Sequence, residues 1–298
     1  MKPAKLRYIR AETAEHAVEL LWDTEPTARV LAGGQSLTPA LSARTIAASS
    51  LIDIMRCPRL DEVSPGERRV VIGAACRQSE IERNPLIRES IPLLSEALAW
   101  VAMPQVRSRG TVVGCLAQAN PGGEVPVVAL ALDAELKLLE RGSERRDMAA
   151  KDVYGVEMGS RLPGQSLILS ASFRKRVAGE GWGFSEVQLR EGHFALVCCA
   201  ATLSLDDKGL IATASIAIGG LTANPYRAER AERALVGQTA ANDSVLLDAA
   251  QMASGERPWP ARADLHATGA FRSKVAVSAV VRALKQARAL CDQGERSD

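Results

Sequence analysis

Two short loops in this chain carry residue types suited to gripping an anion. The first, Leu31-Ala32-Gly33-Gly34-Gln35-Ser36, lies between a short apolar run and a helix-like segment in RVLAGGQSLTPALSA. Glycine reaches positive φ without strain and lets a backbone come close to a ligand. Successive N–H groups in such a turn make a nest for negative charge, and the start of a following helix adds its positive end. The Ser36 hydroxyl offers one more donor. The motif is neither G-x-G-x-x-G nor a Walker loop, so taken alone it reads first as a turn and second as a phosphate site.

The second loop, Arg109-Gly110-Thr111-Val112-Val113-Gly114-Cys115, leads into Ala119-Asn120-Pro121-Gly122-Gly123-Glu124. It offers a permissive backbone, a threonine hydroxyl and an acid after a turn. A carboxylate so placed can accept hydrogen bonds from a ribose or ribityl hydroxyl. Its plainer reading is a glycine-rich loop closed by a solvated glutamate. Arg107 and Arg109 are candidate phosphate partners, or simply an exposed basic turn.

Other chemistry is thin. The cysteines, Cys57, Cys76, Cys115, Cys198, Cys199 and Cys291, form no C-x-x-C pair, and His16, His193 and His266 lie far apart in sequence. Metal-ligand spacing is therefore absent, and reduced, mostly buried thiols are expected. Cys198 and Cys199 should point to opposite faces of a strand. There is no G-x-S-x-G elbow, His193 reads as a surface or packing residue, and Trp22, Trp100, Trp182 and Trp259 read as packing residues. No catalytic acid, base or nucleophile and no metal ligand is assigned.

The elements that must position these loops follow from periodicity. Thr13 is a candidate N-cap for a helix with Ala14, Ala17, Val18 and Leu21 on one face. TARVLAGG and SLIDI read as strands, and CPRLDEVSPGERR as a boundary. RRVVIGAAC reads as a strand, and IPLLSEALAWVA as a helix with Leu94, Ala97, Leu98 and Val101 inward. MPQVRSRGTVVGCLAQANPGGEVPVVALAL reads as a Gly/Pro-rich region. AELKLLE and QSLILSASF read as strands separated by polar, turn-rich sequence. HFALVCCAATLSLDDKGLIATASIAIGGL reads as a hairpin turning at Asp206-Asp207-Lys208-Gly209. RAERAERALVG, SVLLDAAQMA and a C-terminal stripe of Val277, Val280, Val281, Leu284, Ala287 and Cys291 read as helices. Without regular βαβα alternation, the fold class is α+β.

With 298 residues the chain suggests about two domains. A net charge of +2 gives no footprint for nucleic acid or an anionic membrane. MKPAKLRYIRAETAEHAVELL lacks the apolar core of a signal peptide, and no uncharged apolar run reaches the roughly 18 residues of a membrane span. A cytoplasmic chain without a transmembrane segment is expected.

Both loops, in this order and separation, resemble the FAD-binding medium subunit of the molybdenum hydroxylases, the family of carbon monoxide dehydrogenase and xanthine dehydrogenase. The resemblance runs through RVLAGGQSLTPAL, SLIDIMR, VIGAACRQSEIE, the long PLLSEALAWVAMPQVRSRGT stretch, HFALVCCAATLSL and IAIGGLTANPYRAERAERALVG, nearly the whole chain. It implies a two-subdomain FAD-binding unit of the vanillyl-alcohol-oxidase/PCMH type, residues 1–57 and 58–176, then a C-terminal α+β domain, 177–298. It implies that Leu31, Ala32, Gly33, Gly34, Gln35 and Ser36 cradle the FAD pyrophosphate. Val101 and Ala102 would lie near the cofactor, and Thr111, Gly114 and Cys115 in the second cradle. Glu124 would hold the family's acidic position, Ile168 and Leu169 would flank the dinucleotide, and Gln188 would stand near the site.

The same resemblance implies a large subunit with the molybdenum cofactor and a small subunit with [2Fe–2S] clusters, assembled as a heterotrimer or a dimer of heterotrimers. The chain would take electrons from the clusters after hydroxylation of a substrate, an N-heteroaromatic compound by analogy, and pass them to an external acceptor. That acceptor stays open among a quinone, a cytochrome, oxygen and NAD. The family usually has Gly-Gly-Asn where Val113-Gly114-Cys115 stands, Asp at Glu124 and often Lys at Gln188. These departures motivate a second reading, a cofactor-free structural subunit of the same kind of complex. A third, a stand-alone flavin oxidoreductase, suits a longer chain.

Overall fold

The computed structural model describes residues 5–23, 27–154 and 161–294. Among them the strands form three sheets. The first is parallel, with Ser50–Asp53 between Arg7–Arg10 and Arg29–Leu31. The helix Ala14–Asp23 links its first two strands, and Thr13 Oγ1 accepts from the His16 N–H at 3.1 Å, as the N-cap reading expected. Ala17, Val18 and Leu21 are buried.

The second sheet is antiparallel, in the order Val63–Pro65, Arg69–Gly73, Leu167–Arg174, Glu135–Leu139, Arg145–Ala149. The stretch expected as a boundary supplies its edge strand, and Pro65-Gly66 closes a hairpin with Gly66 N–H donating to Arg69 O at 2.8 Å. Arg145–Ala149 falls where only polar turns were expected, because its outward residues are charged and exposed.

The Gly/Pro-rich region is not irregular. It holds three helices, Pro104–Arg107, Val112–Gln118 and Glu124–Ala131. Its prolines and glycines are end signals: Pro104 opens the first helix and Gly123 caps the third. Every residue of Glu124–Ala131 is buried, which erases the amphipathic pattern that marks a surface helix. Helix Pro92–Trp100 forms as read, except that Val101 lies just past its end, still buried.

The third sheet, antiparallel, runs Tyr226–Arg227, Ile211–Gly219, Val197–Leu205, Gly181–Val187. The expected hairpin is its centre; it starts at Val197, and Asp206 Oδ1 accepts the N–H groups of Lys208 and Leu210 at 2.9 Å each. Cys198 faces the main core and Cys199 a second core under the C-terminal helices, so the two thiols do take opposite faces. The sheet is thus covered on both sides. On one lies Glu124–Ala131; on the other lie Glu229–Leu235, Asp243–Gly255 and the long helix Gly269–Gly294.

That long helix buries Ala276, Ala279, Val280, Ala283, Leu284, Ala287 and Cys291, leaving Val277 and Val281 half-buried. The alanines pack close to the sheet because the strand opposite presents Gly181 and Gly183 to them. A Cβ at Gly183 would stand 2.9 Å from the Ala283 carbonyl carbon, and one at Gly181 2.8 Å from that of Ala287. Small residues on both partners let helix and sheet close up, and added volume has no rotamer to move into. Gly183→Ala is expected to cost about 1–3 kcal/mol, read as a lower urea midpoint at unchanged slope.

Candidate cofactor-binding site

Parallel strands end together, and ligands of parallel sheets bind beyond their carboxyl ends. Here Arg10, Leu31 and Asp53 are the last residues of the three parallel strands. Beyond them opens a cleft of about 760 Å³ lined by Leu31, Ala32, Gly33, Gly34 and Gln35 together with Arg10, Arg56, Arg77 and Arg109. The volume is in the usual range for a cofactor pocket.

The loop is held open by its own geometry. Gly34 has φ +71°, and Gln35 Nε2 donates to Gly33 O at 2.9 Å. Ser36 starts the short helix Leu37–Ser42 with no side-chain cap bond, so its hydroxyl is uncommitted by capping. Gly33 lies so close to the second loop that a Cβ would stand 2.7 Å from Gly110 Cα and overlap the Arg109 carbonyl oxygen. The two loops form one wall.

Gln78 fixes the far side of that wall. Its N–H donates to Gly110 O at 2.8 Å, Arg77 bridges Thr111, and its side-chain Nε2 reaches Cys115 Sγ at 2.8 Å. Thr111 caps the helix Val112–Gln118 by accepting from Gly114 N–H at 3.0 Å, so its hydroxyl already serves the backbone. Burial pushes the Cys115 thiol up to about 12, which keeps it neutral. Val113 is 3% exposed and packs in the main core, outside the lining of either cleft described here.

A second cleft of about 550 Å³ lies on the other flank of the same segment, lined by Trp100, Ala102, Pro104, Arg107, Gln188 and Arg190 among others. Ala102 has φ +43°, a strained value for a residue with a Cβ. Arg107 holds it there: Nη1 donates to Val101 O and Ala102 O at 3.0 Å each, and Nε pairs with Glu82 at 2.9 Å. Arg107 is therefore a backbone clamp, whereas Arg109 lines the first cleft. Trp22 is 41% exposed under Arg141 and departs from the packing reading. Trp100, 43% exposed at this rim, still sets its ring against Phe184, Trp182 packs on the main core with a hydrogen bond to Glu96, and Trp259 packs on the second core.

Of the residues singled out from sequence, Leu31 to Gln35 share the first cleft, and Ala102 and Gln188 the second. Ser36, Val101, Thr111, Gly114 and Cys115 are not among the residues lining either cleft. Ile168 and Leu169 belong to the strand Leu167–Arg174 within the second sheet, apart from both cleft linings. Glu124 is buried at the start of its helix rather than solvated. Arg10, Arg56, Arg77 and Asp53 went unread in the sequence, although the ends of the three parallel strands were a usable signal. Asp53 is itself committed, accepting from Tyr8 Oη and from Met55 N–H. Four guanidinium groups beside a glycine loop suit a diphosphate, and Gly33 seats that loop against the Arg109-Gly110 backbone. The residues present fit an FAD. Among the described residues no cluster of three or more metal-ligating side chains exists, and no helix is long and apolar enough to cross a membrane.

Two known families match this chain in succession: the FAD binding domain in molybdopterin dehydrogenase over residues 4–173, and the CO dehydrogenase flavoprotein C-terminal domain over 182–287. The chain belongs to the flavoprotein subunits of the molybdenum hydroxylases. It is 34% identical to the 6-hydroxypseudooxynicotine dehydrogenase complex subunit alpha of Paenarthrobacter nicotinovorans, over 96% of each chain. The solved carbon monoxide dehydrogenase of Hydrogenophaga pseudoflava superposes at a TM-score of 0.92 with 30% identity, covering 98% of this chain and 100% of that one. Quinoline 2-oxidoreductase of Pseudomonas putida 86 superposes at 0.90 with 29% identity, covering 97% and 99%.

This flavoprotein subunit is a component of an oxidoreductase, with the α+β architecture of a PCMH-type FAD-binding unit followed by the CO dehydrogenase flavoprotein domain. In it, Arg107→Ala should cost about 3 kcal/mol, because a partly buried ion pair and two carbonyls lose their donor together. Arg107→Lys should recover only part, since an ammonium lacks the planar fork. Chemical denaturation of the two variants measures both.

Proposed function

We propose that this chain binds one FAD and serves as the electron-transfer subunit of a molybdenum hydroxylase. It would take electrons from [2Fe–2S] clusters of a small subunit after substrate hydroxylation at the molybdenum site of a large subunit, and deliver them to an external acceptor. The observation that carries the reading is the first cleft, a glycine loop and four arginines at the carboxyl edge of a parallel sheet, in a chain of this family. FAD would supply an exchange between one-electron and two-electron chemistry.

The chain's own residues do the rest. Leu31 to Gln35 offer backbone N–H groups to the pyrophosphate, and Arg10, Arg56, Arg77 and Arg109 neutralise it. The segment from Ala102 to Arg109 touches both clefts, so an extended dinucleotide would run along it, with Ala102 and Gln188 toward the ring end. Arg107 keeps that segment in shape. The departure at Val113 is absorbed by the core, and the amide absent at Cys115 has a neighbour in Gln78, which brings an amide to the same place. Both points favour the flavin-bearing reading over the cofactor-free one. Domain limits at 57 and 176, a dimer of heterotrimers and a cytoplasmic setting belong to the same proposal. Relatives named for 6-hydroxypseudooxynicotine and quinoline favour an N-heteroaromatic substrate for the complex.

The test is to purify the native complex, release its flavin and count it against this chain. Near one FAD per chain is expected. An assembly holding molybdenum and iron–sulfur but no flavin would leave the chain a scaffold and overturn the proposal.

A further inference from the structure

Two buried carboxyl groups, Glu186 of the third sheet and Glu124 at the start of the helix Glu124–Ala131, flank the seam between that sheet and that helix. Glu186 pairs with Cys198 in strand register, and residues opposed in a sheet share a face. Cys198 packs into the main core, and at its other partner, Gly219, a Cβ would stand 3.0 Å from Cys198 Sγ and also crowd Val127 of that helix. The turn before the helix is pinned to the same sheet: Gly220 N–H donates to Pro121 O at 2.6 Å, and a Cβ at Gly122 would stand 2.6 Å from Ala195 O. Glu124, the first residue of the helix, is thereby brought within the electrostatic reach of Glu186.

Glu124 is 4% exposed and Glu186 6%, and among the described residues neither enters an ion pair. Glu186 Oε1 accepts from Gln188 Nε2 at 2.6 Å, while its Oε2 is buried without a partner. An ionised Glu186 would leave that oxygen bare beside a second carboxylate. A protonated Glu186 removes the charge that this bare oxygen would otherwise carry into the interior. Glu124 is the better seat for the charge, since it lies at the positive end of its helix.

We propose that Glu186 is a neutral carboxylic acid at neutral pH and that it acts as a positioning residue for Gln188 at the second cleft. Burial, then the Glu124 charge, pushes Glu186 up to about 9, and burial pushes Glu124 up to about 7. The other titratable groups facing the pair are Cys198, raised well above the thiol range, and Cys115, raised to about 12; both stay neutral.

Gln188 Nε2 also reaches Trp100 O at 3.4 Å, and a carbonyl can only accept. Both amide hydrogens are thus engaged inward, and the amide oxygen is the atom left for the cleft. The cleft then offers an acceptor to a ring N–H. This consequence rests on the flavin reading above; the neutral Glu186 does not.

The folded chain holds a proton that the unfolded chain releases above the ordinary glutamate value of 4.5. The stability it lends is full below that value, falls progressively as pH rises above it, and is gone once Glu186 ionises at about 9. The experiment is an infrared pH titration of the full chain without added cofactor, beside Glu186→Gln and Glu124→Gln. Expected is a buried carboxylic-acid carbonyl band at neutral pH, lost with an alkaline midpoint and weakened in E186Q, with a melting temperature that falls as pH rises above 4.5 more steeply in the wild type than in either variant. In E124Q the midpoint should move to lower pH, because the neighbouring charge is gone. No acid band at neutral pH, or a midpoint that E124Q leaves in place, would overturn the proposal. Should E186Q fail to fold, the wild-type and E124Q titrations still decide it. Flavin content is counted separately, so a failed flavin reading leaves this result standing.

Discussion

The close approach of Gly33 to the Arg109-Gly110 backbone is the constraint on which the candidate site depends. Only a residue without a Cβ lets the two loops share a wall. That contact joins the carboxyl end of the parallel sheet to the start of the second loop, and it brings Arg109 to the same cleft as Arg10, Arg56 and Arg77. Gln78, hydrogen-bonded to Gly110 and Cys115, backs the wall from the protein side. A single glycine therefore couples two segments more than seventy residues apart, and the arginines gather because the backbones do.

Charge is handled in two opposite ways. At the first cleft the guanidinium groups stand at an open surface, where cations are cheap to keep solvated until an anion arrives. At the seam behind Glu124 two acids are buried without a cation, which a protein tolerates by holding a proton. The same helix start that would favour a ligand anion at the surface instead steadies an internal one. The second cleft lies between these regimes, with Arg107 tied to Glu82 and the backbone and Gln188 tied to Glu186.

Much of this was legible in the residues. The strands at TARVLAGG and SLIDI, the Thr13 cap, the hairpin at Asp206 and the split of Cys198 and Cys199 between two cores follow from period and local capping, although the parallel pairing of the first sheet does not. What was not legible has common physical causes. Helix Glu124–Ala131 is buried all round and begins after Gly-Gly, so periodicity gave no sign of it. Strand Gly181–Val187 carries two glycines whose purpose, close packing under Ala283 and Ala287, exists only once the helix is in place. Arg10, Arg56 and Arg77 look like scattered surface cations until three strands end side by side. Arg107 looked like a phosphate partner and proved to be a clamp, because its acceptors, Glu82 and two carbonyls, come from a neighbouring helix and a strained turn.

The central claim is that the Gly33 seat builds the cofactor cradle. The most direct measurement is an FAD titration of the Gly33→Ala chain followed by flavin fluorescence, with circular dichroism to establish that the fold persists. The account predicts affinity weakened by at least about tenfold, the equivalent of 1.4 kcal/mol, in a chain whose secondary structure is retained. FAD bound at wild-type affinity by that variant would contradict it, and the cradle would have to lie elsewhere.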